Sequence, residues 1–262
     1  LTCAGRSPQQ SLLLCDMTFE DFLCPRCALF LDFDGTLVEL AEHPLAIVVP
    51  EGLVATLSRM HDLLDGAVAV ISGRPIDQID HFLQPLVLGV AGVHGAERRR
   101  ADGSIACLET PPMGRVQSAA EALGQAHEAL VVEVKRGSVA LHYRQAPELA
   151  AVCIAAMQDA VEHSQGLTLL HGKMVVEAKA SQASKGRAIE AFLAEPPFAG
   201  RKPVFIGDDV TDEAGFAAVQ RLGGLGVKVG EGPSAAACRL DNPAMMRELM
   251  ERTIAHAAET HP

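Results

Sequence analysis

The chain has 262 residues, enough for one large domain or for a core carrying a smaller insert. With 48% hydrophobic and 21% charged residues it has the composition of a folded protein, not of a disordered one. Its formal net charge of -11 argues against nucleic acid as a partner, because a phosphate backbone needs a basic face; an anionic ligand would have to be met by a local cluster of Lys and Arg.

In chain order, residues 1–16 are expected to be a flexible extension or a non-native remnant, since the chain opens at Leu1 and Met17 precedes the first patterned segment. The apolar run at 12–14 is far too short for a signal peptide, and none approaches the roughly 20 residues of a membrane span, so a cytoplasmic protein without a membrane partner is expected. Cys24-Pro-Arg-Cys27 has redox-motif spacing. No second close pair accompanies it, and the seven scattered cysteines suit reduced thiols. Five short apolar runs, at 28–31, 67–71, 87–93, 204–206 and 225–229, read as buried parallel strands. Helical spacing recurs between them. Over 52–64 it puts Leu53, Leu57, Met60 and Leu64 on one face, and 185–193 and 213–222 read similarly. Alternating β and α predicts an α/β fold with a doubly wound, Rossmann-like parallel sheet.

The middle of the chain changes character. Residues 97–108 read as a hairpin turning on Asp102-Gly103. A helix (116–129), two strands broken at Gly137, a second helix (147–163) and two strands split at Gly172-Lys173 follow. The expectation is a catalytic core of 17–96 and 181–262, with an α+β cap inserted at 97–180.

In such a sheet, ligands bind beyond the carboxyl ends of the strands. The first run ends in Asp32-Phe33-Asp34-Gly35-Thr36, the second in Ser72-Gly73-Arg74, the third in His94-Gly95 and the fourth in Gly207-Asp208-Asp209, with Asp212 beyond. Lys185-Gly186 opens the helix before the fourth. Each piece alone has an ordinary reading: a turn, a helix cap, an acidic first turn, a surface lysine. Together they describe phosphate chemistry. A carboxylate that attacks phosphorus needs its own charge and the ester's charge offset, which suits Mg²⁺ held by Asp32 and Asp208. Ser72 and the N–H groups beside it form an anion cradle, Lys185 adds a point charge, and Asp34 is free to move a proton.

This order resembles the haloacid dehalogenase superfamily of phosphatases over about residues 28–241. The resemblance implies Asp32 as nucleophile, Asp34 as general acid/base with its backbone carbonyl on the metal, and Ser72 and Lys185 holding the phosphoryl group. Asp208 would complete the Mg²⁺ site, supported by Asp209 and Asp212. Superfamily members with an α+β cap between the second and third motifs fit the insert.

Specificity is expected from the cap, where carboxylates and cations can bond paired sugar hydroxyls. Candidates are Glu97 after His94-Gly95, Arg99 in the basic run 98–100, and Lys173 and Glu177 on one hairpin; Ala140-Leu141-His142-Tyr143-Arg144 also stands out. The Gly172-Lys173-x-x-x-Glu177 and His94-Gly95-x-Glu97 segments are similar to those of the trehalose-6-phosphate phosphatases, as is 230–240, read as a Gly-rich turn and an Ala-rich helix. That resemblance implies that Glu97, Lys173 and Glu177 hold the glucose ring distal to the phosphate, with help from Arg99. Gly73 and Arg74 join them as substrate contacts. A monomeric enzyme acting on a sugar phosphate is expected. The competing readings are a sucrose-phosphate or mannosyl-phosphoglycerate phosphatase, a silent sugar-phosphate sensor, and a signalling receiver, which would have neither the cap nor Asp-x-Asp-Gly-Thr.

Overall fold

Runs without a polar side must be covered on both faces, and the computed structural model, which describes residues 26–41 and 46–260, places them so. The expected extension at 1–16 and Cys24 lie outside the described residues; Cys27 is buried at the start of the first strand. β1 (Cys27–Leu31), β2 (Val68–Ile71) and β3 (Gly89–Gly92) are buried at every position. So is β11 (Leu225–Val229), while β10 (Lys202–Gly207) exposes only its first residue. They form a parallel sheet in which β1 lies between β10 and β2. Leu31 pairs with Ile206, so the chain leaves β1 at Asp32 beside the point where β10 leads into Asp208. The helices α1 (Leu53–Leu63), α2 (Ile76–Leu83), α5 (Lys185–Leu193), α6 (Glu213–Arg221) and α7 (Pro243–Thr260) belong to this part of the chain. α1 buries Leu53, Leu57 and Met60, the face its spacing predicts, and Leu64 just beyond it is buried too.

The inserted unit has its own core. α3 (Gly114–Ala126) and α4 (Ala150–Glu162) pack on an antiparallel sheet of order β6-β7-β9-β8, made of β6 (Val131–Lys135), β7 (Ser138–His142), β8 (Leu167–Gly172) and β9 (Val175–Ala180). Val116, Val139, Leu141, Met157, Val176 and Ala178 meet beneath the helices.

Two expectations are corrected. The hairpin at 97–108 does not start the inserted sheet. Its strands β4 (Glu97–Arg99) and β5 (Ile105–Cys107) extend the main sheet to the order β12-β11-β10-β1-β2-β3-β4-β5. The cause is the tight turn after β3, where Val93, His94 and Gly95 all take positive φ (48°, 55° and 99°) and lay the chain back along β3. The Ala-rich stretch at 235–237 is not a helix either. Ala235 N–H donates to the Glu213 carboxylate and Ala237 N–H to Gln220 Oε1, both on α6. Those bonds hold the chain extended into a short edge strand, β12 (Cys238–Leu240).

Candidate active site

Asp32 leaves β1 buried, its backbone N–H donating to the Ile206 carbonyl at 2.8 Å. Lys185, the first residue of α5, is buried as well, and its Nζ donates to Asp32 Oδ1 at 2.7 Å and to Asp212 Oδ1 at 2.6 Å. Burial works against the ammonium charge, but Asp212 and Asp32 outweigh it and push the lysine above its ordinary range. Asp212 has its other oxygen, Oδ2, on the Asp209 N–H at 2.9 Å, while Asp209 Oδ1 accepts the Val210 N–H at 2.7 Å. This reciprocal cap fixes the turn that follows β10. Asp209 and Asp212 thus brace the turn on which Asp208 stands.

Oxygens of Asp32, Asp208 and Asp212 lie within 4.8 Å of one another. Burial and the Asp212 charge push Asp208 up to about 6. Burial also raises Asp32 well above the carboxylate range, with Asp212 and Asp208 adding to it and Lys185 opposing. Such crowding is what a divalent cation relieves, and an all-oxygen donor set suits a hard one. Gly35 makes the room: its φ is +77°, and a Cβ there would lie 2.1 Å from Asp208 Oδ2.

The Asp34 carboxylate points elsewhere. Arg74 grips it with Nε at 2.6 Å and Nη2 at 2.7 Å, while Arg74 Nη1 donates to Gln78 Oε1 at 3.1 Å. The guanidinium also sits 5.2 Å from the Phe82 ring centre. Arg74 is therefore a holder of Asp34 and not a free substrate contact. Ser72 Oγ accepts the Arg74 N–H at 3.1 Å, which shapes the loop before α2.

These groups form one wall of a cleft of about 260 Å³, and the inserted sheet forms the other. Register explains the second wall. Glu133 pairs with Ala140, Ala140 with Glu177 and Glu177 with Leu170, so one row crosses all four strands on a single face. All four line the cleft, whereas Val139, Leu141, Val176 and Ala178 face the helices. Within the row, Glu133 Oε2 lies 3.2 Å from both Lys135 Nζ and His142 Nε2. Lys135 also reaches across to the Gly73 carbonyl at 3.4 Å. Lys173 lines the cleft from the exposed β8–β9 turn, and Arg144 lines it too.

An acidic, lysine-bearing wall thus faces a wall of carboxylates and cations, and sequence relatives decide the family. The sequence model for trehalose-phosphatase matches residues 30–244. The chain is 44% identical over 219 residues to a probable trehalose-phosphate phosphatase of Sinorhizobium fredii, covering 80% of this chain and 83% of that one. It is 42% identical over 224 residues to the trehalose-6-phosphate phosphatase of Escherichia coli, covering 83% of each. The chain belongs to the trehalose-phosphatase family. Its fold is shared by the trehalose-6-phosphate phosphatase C-terminal domain of C. albicans, with a TM-score of 0.79 at 20% identity, over 88% of this chain and 93% of that one. The haloacid dehalogenase-like core expected from the motif order is thus the fold observed.

In this member of the trehalose-phosphatase family, two expected sugar contacts are not on the cleft. Glu97 Oε1 accepts the Ile76 N–H at 2.7 Å and caps α2. Arg99 grips Asp80 on α2 with two bonds of 2.6 Å and donates to the Leu88 carbonyl at 3.0 Å. Both residues stand on β4, which joined the main sheet, so their side chains reach α2 and not the inserted sheet. Glu133 and Lys135 take their place on the cleft. Their signal was available: two charges at i and i+2 in Val-Val-Glu-Val-Lys share one face of a strand. The described residues include no helix long and apolar enough to cross a membrane.

Proposed function

We propose that the chain hydrolyses trehalose 6-phosphate to trehalose and phosphate through a phospho-Asp32 intermediate, with Mg²⁺ as cofactor. The observation that carries this reading is the cleft itself. One wall holds Asp32, Lys185 and Asp208, and the other presents the Glu133–Ala140–Glu177 row. In the first step an Asp32 oxygen forms a bond to phosphorus and the bond to the sugar oxygen breaks, while Asp34 gives that oxygen a proton. In the second step Asp34 takes a proton from water, the water oxygen bonds phosphorus, and the Asp32–phosphorus bond breaks to release phosphate. Arg74 keeps Asp34 oriented with both oxygens accepting, the form the second step needs. The first step requires that grip to loosen as the phosphoryl group arrives.

Lys185 stays charged against the phosphoryl oxygens, and the Ser72 hydroxyl with the N–H groups beside it completes the cradle. A cation held by Asp32, Asp208 and the Asp34 carbonyl supplies charge that offsets the reacting oxygens; the oxygen-only donors favour Mg²⁺. Glu177, Glu133, Lys135 and Lys173 bind the sugar by its hydroxyls. The inserted unit acts as a cap whose closing excludes water, with the strand ends near Ala180 as its hinge. The seven scattered cysteines support a reducing, cytoplasmic setting.

Phosphate release from trehalose 6-phosphate, sucrose 6-phosphate, glucose 6-phosphate and p-nitrophenyl phosphate, with Mg²⁺ and with EDTA, tests the reading. Strong metal-dependent preference for trehalose 6-phosphate is expected. Metal-dependent preference for another ester would retain the chemistry and remove the substrate assignment. No release from any of them would leave a sugar-phosphate sensor.

A further inference from the structure

His94 has no part in the proposed phosphoryl chemistry, yet its ring lies between the loop after β2 and the buried carboxylate of the inserted sheet. Its Nε2 lies 3.2 Å from Glu177 Oε2. Its backbone N–H donates to the Ser72 carbonyl at 2.8 Å. The ring lies against Gly73, where an added Cβ would be 2.8 Å from His94 Cε1, so only glycine at 73 seats it there. The backbone is held in the left-handed region at φ 55°, directly after Val93 at φ 48°. A β-branched residue in that conformation is strained, and such strain persists only where surrounding contacts impose it.

The bond has a defined direction. Burial opposes the Glu177 charge, but His94 and Lys135 outweigh it and bring the carboxyl down to about 2, so it is a carboxylate and can only accept. Nε2 must therefore carry the proton and donate to Oε2. The buried Ser138 hydroxyl also helps to hold the Glu177 carboxylate in its charged form. His94 and Glu177 both line the cleft.

We infer that His94 is a positioning residue that fixes Glu177 against the Ser72–Gly73 loop, so that one imidazole sets the distance between sugar recognition and phosphoryl placement. By occupying Oε2 it fixes the Glu177 carboxylate at the cleft, and through its backbone it references that carboxylate to Ser72. The inference rests on the proposed sugar phosphatase activity for its substrate.

Two substitutions separate this role from simple packing. His94→Asn keeps a side chain that tolerates positive φ but is too short to reach Glu177. His94→Gln restores a donor near the Nε2 position. The measured quantity is the ratio of kcat/KM on trehalose 6-phosphate to kcat/KM on p-nitrophenyl phosphate. His94→Asn is expected to lower this ratio about 10- to 100-fold, the size of a lost hydrogen bond to a charged group, and His94→Gln to recover a substantial part of it. In a cycle with Glu177→Gln, the two losses should be strongly non-additive. An unchanged ratio in His94→Asn, no recovery in His94→Gln, or simple additivity would overturn the inference. If His94→Asn does not give a cooperative melt, His94→Gln decides alone: near wild-type ratio supports the role, and an Asn-like loss sinks it. Wild-type enzyme in the same assay tests the substrate assignment separately. Should it prefer another sugar phosphate, that assignment falls, and the same cycle on the preferred ester still decides whether His94 and Glu177 are coupled.

Discussion

The two walls of the cleft differ in how far they are completed by the protein itself. On the core wall Lys185 already bonds Asp32 and Asp212, Asp212 bonds back to Asp209, and Arg74 holds Asp34 with two bonds. On the inserted sheet Glu177 lines the cleft with one oxygen on His94, and Lys173 projects from an exposed turn with no bond to the core wall among the described residues. In the proposed reaction the first wall is a preorganised charge receptor: Lys185 and the carboxylates it bonds need not move as charge develops on phosphorus, and only the Arg74 grip on Asp34 loosens. The second leaves bonds to be made by the ligand, which is how a site rejects molecules lacking the right hydroxyls. The proposed split, with chemistry on one wall and choice on the other, rests on that difference.

Breaking the core wall has the largest expected effect. Asp32→Asn removes the proposed nucleophile and should lower turnover at least about 10⁴-fold on every ester, checked by phosphate release at saturating substrate. Gly35→Ala should cost about 100-fold in kcat/KM and weaken Mg²⁺ dependence, because its Cβ would drive Asp208 off its position. Titrating Mg²⁺ against the variant's rate checks it.

The crowding of the acidic cluster gives a pH signature. A carboxyl whose folded pKa is raised above its unfolded value supports the fold at low pH and loses that support as pH rises through the folded value. For Asp208 the window runs from its ordinary 3.8 to about 6. Metal-free protein should therefore lose stability across it, and saturating Mg²⁺ should raise Tm more near pH 7.5 than near pH 5. An equal Tm shift at both would mean the cluster is not where the cation binds. The smallest effect sharpens the boundary between the walls. Arg99→Lys loses the two-pronged grip on Asp80 and should lower Tm by a few degrees, yet keep kcat/KM within about twofold, since Arg99 is off the cleft. A large rise in KM would return it to the sugar site.

The core wall was legible in the sequence because its parts are local. Buried parallel strands read as apolar runs, and Asp32, Ser72 and Asp208 follow the ends of three of them, so these residues are found by position alone. The second wall depends on pairing between distant strands. Which sheet the hairpin at β4 and β5 would join is decided by the left-handed turn at Val93–His94, and nothing in the spacing of Glu97 and Arg99 reveals it. Once β4 lies beside α2, both side chains are taken up there. Glu177 and Lys173 were legible from their hairpin, whereas Glu133 was not linked to Glu177 until Ala140 was seen between them. At 235–237, helix propensity lost to acceptors on α6 that lie more than a dozen residues away.

The division of labour is tested most directly by Glu177→Gln, measured as kcat/KM on trehalose 6-phosphate and on p-nitrophenyl phosphate in the same Mg²⁺ buffer. The ratio of the two is expected to fall about 10- to 100-fold, because only the sugar ester would use that carboxylate. Equal loss on both esters would contradict it, and would make Glu177 part of the frame that holds the core wall in place.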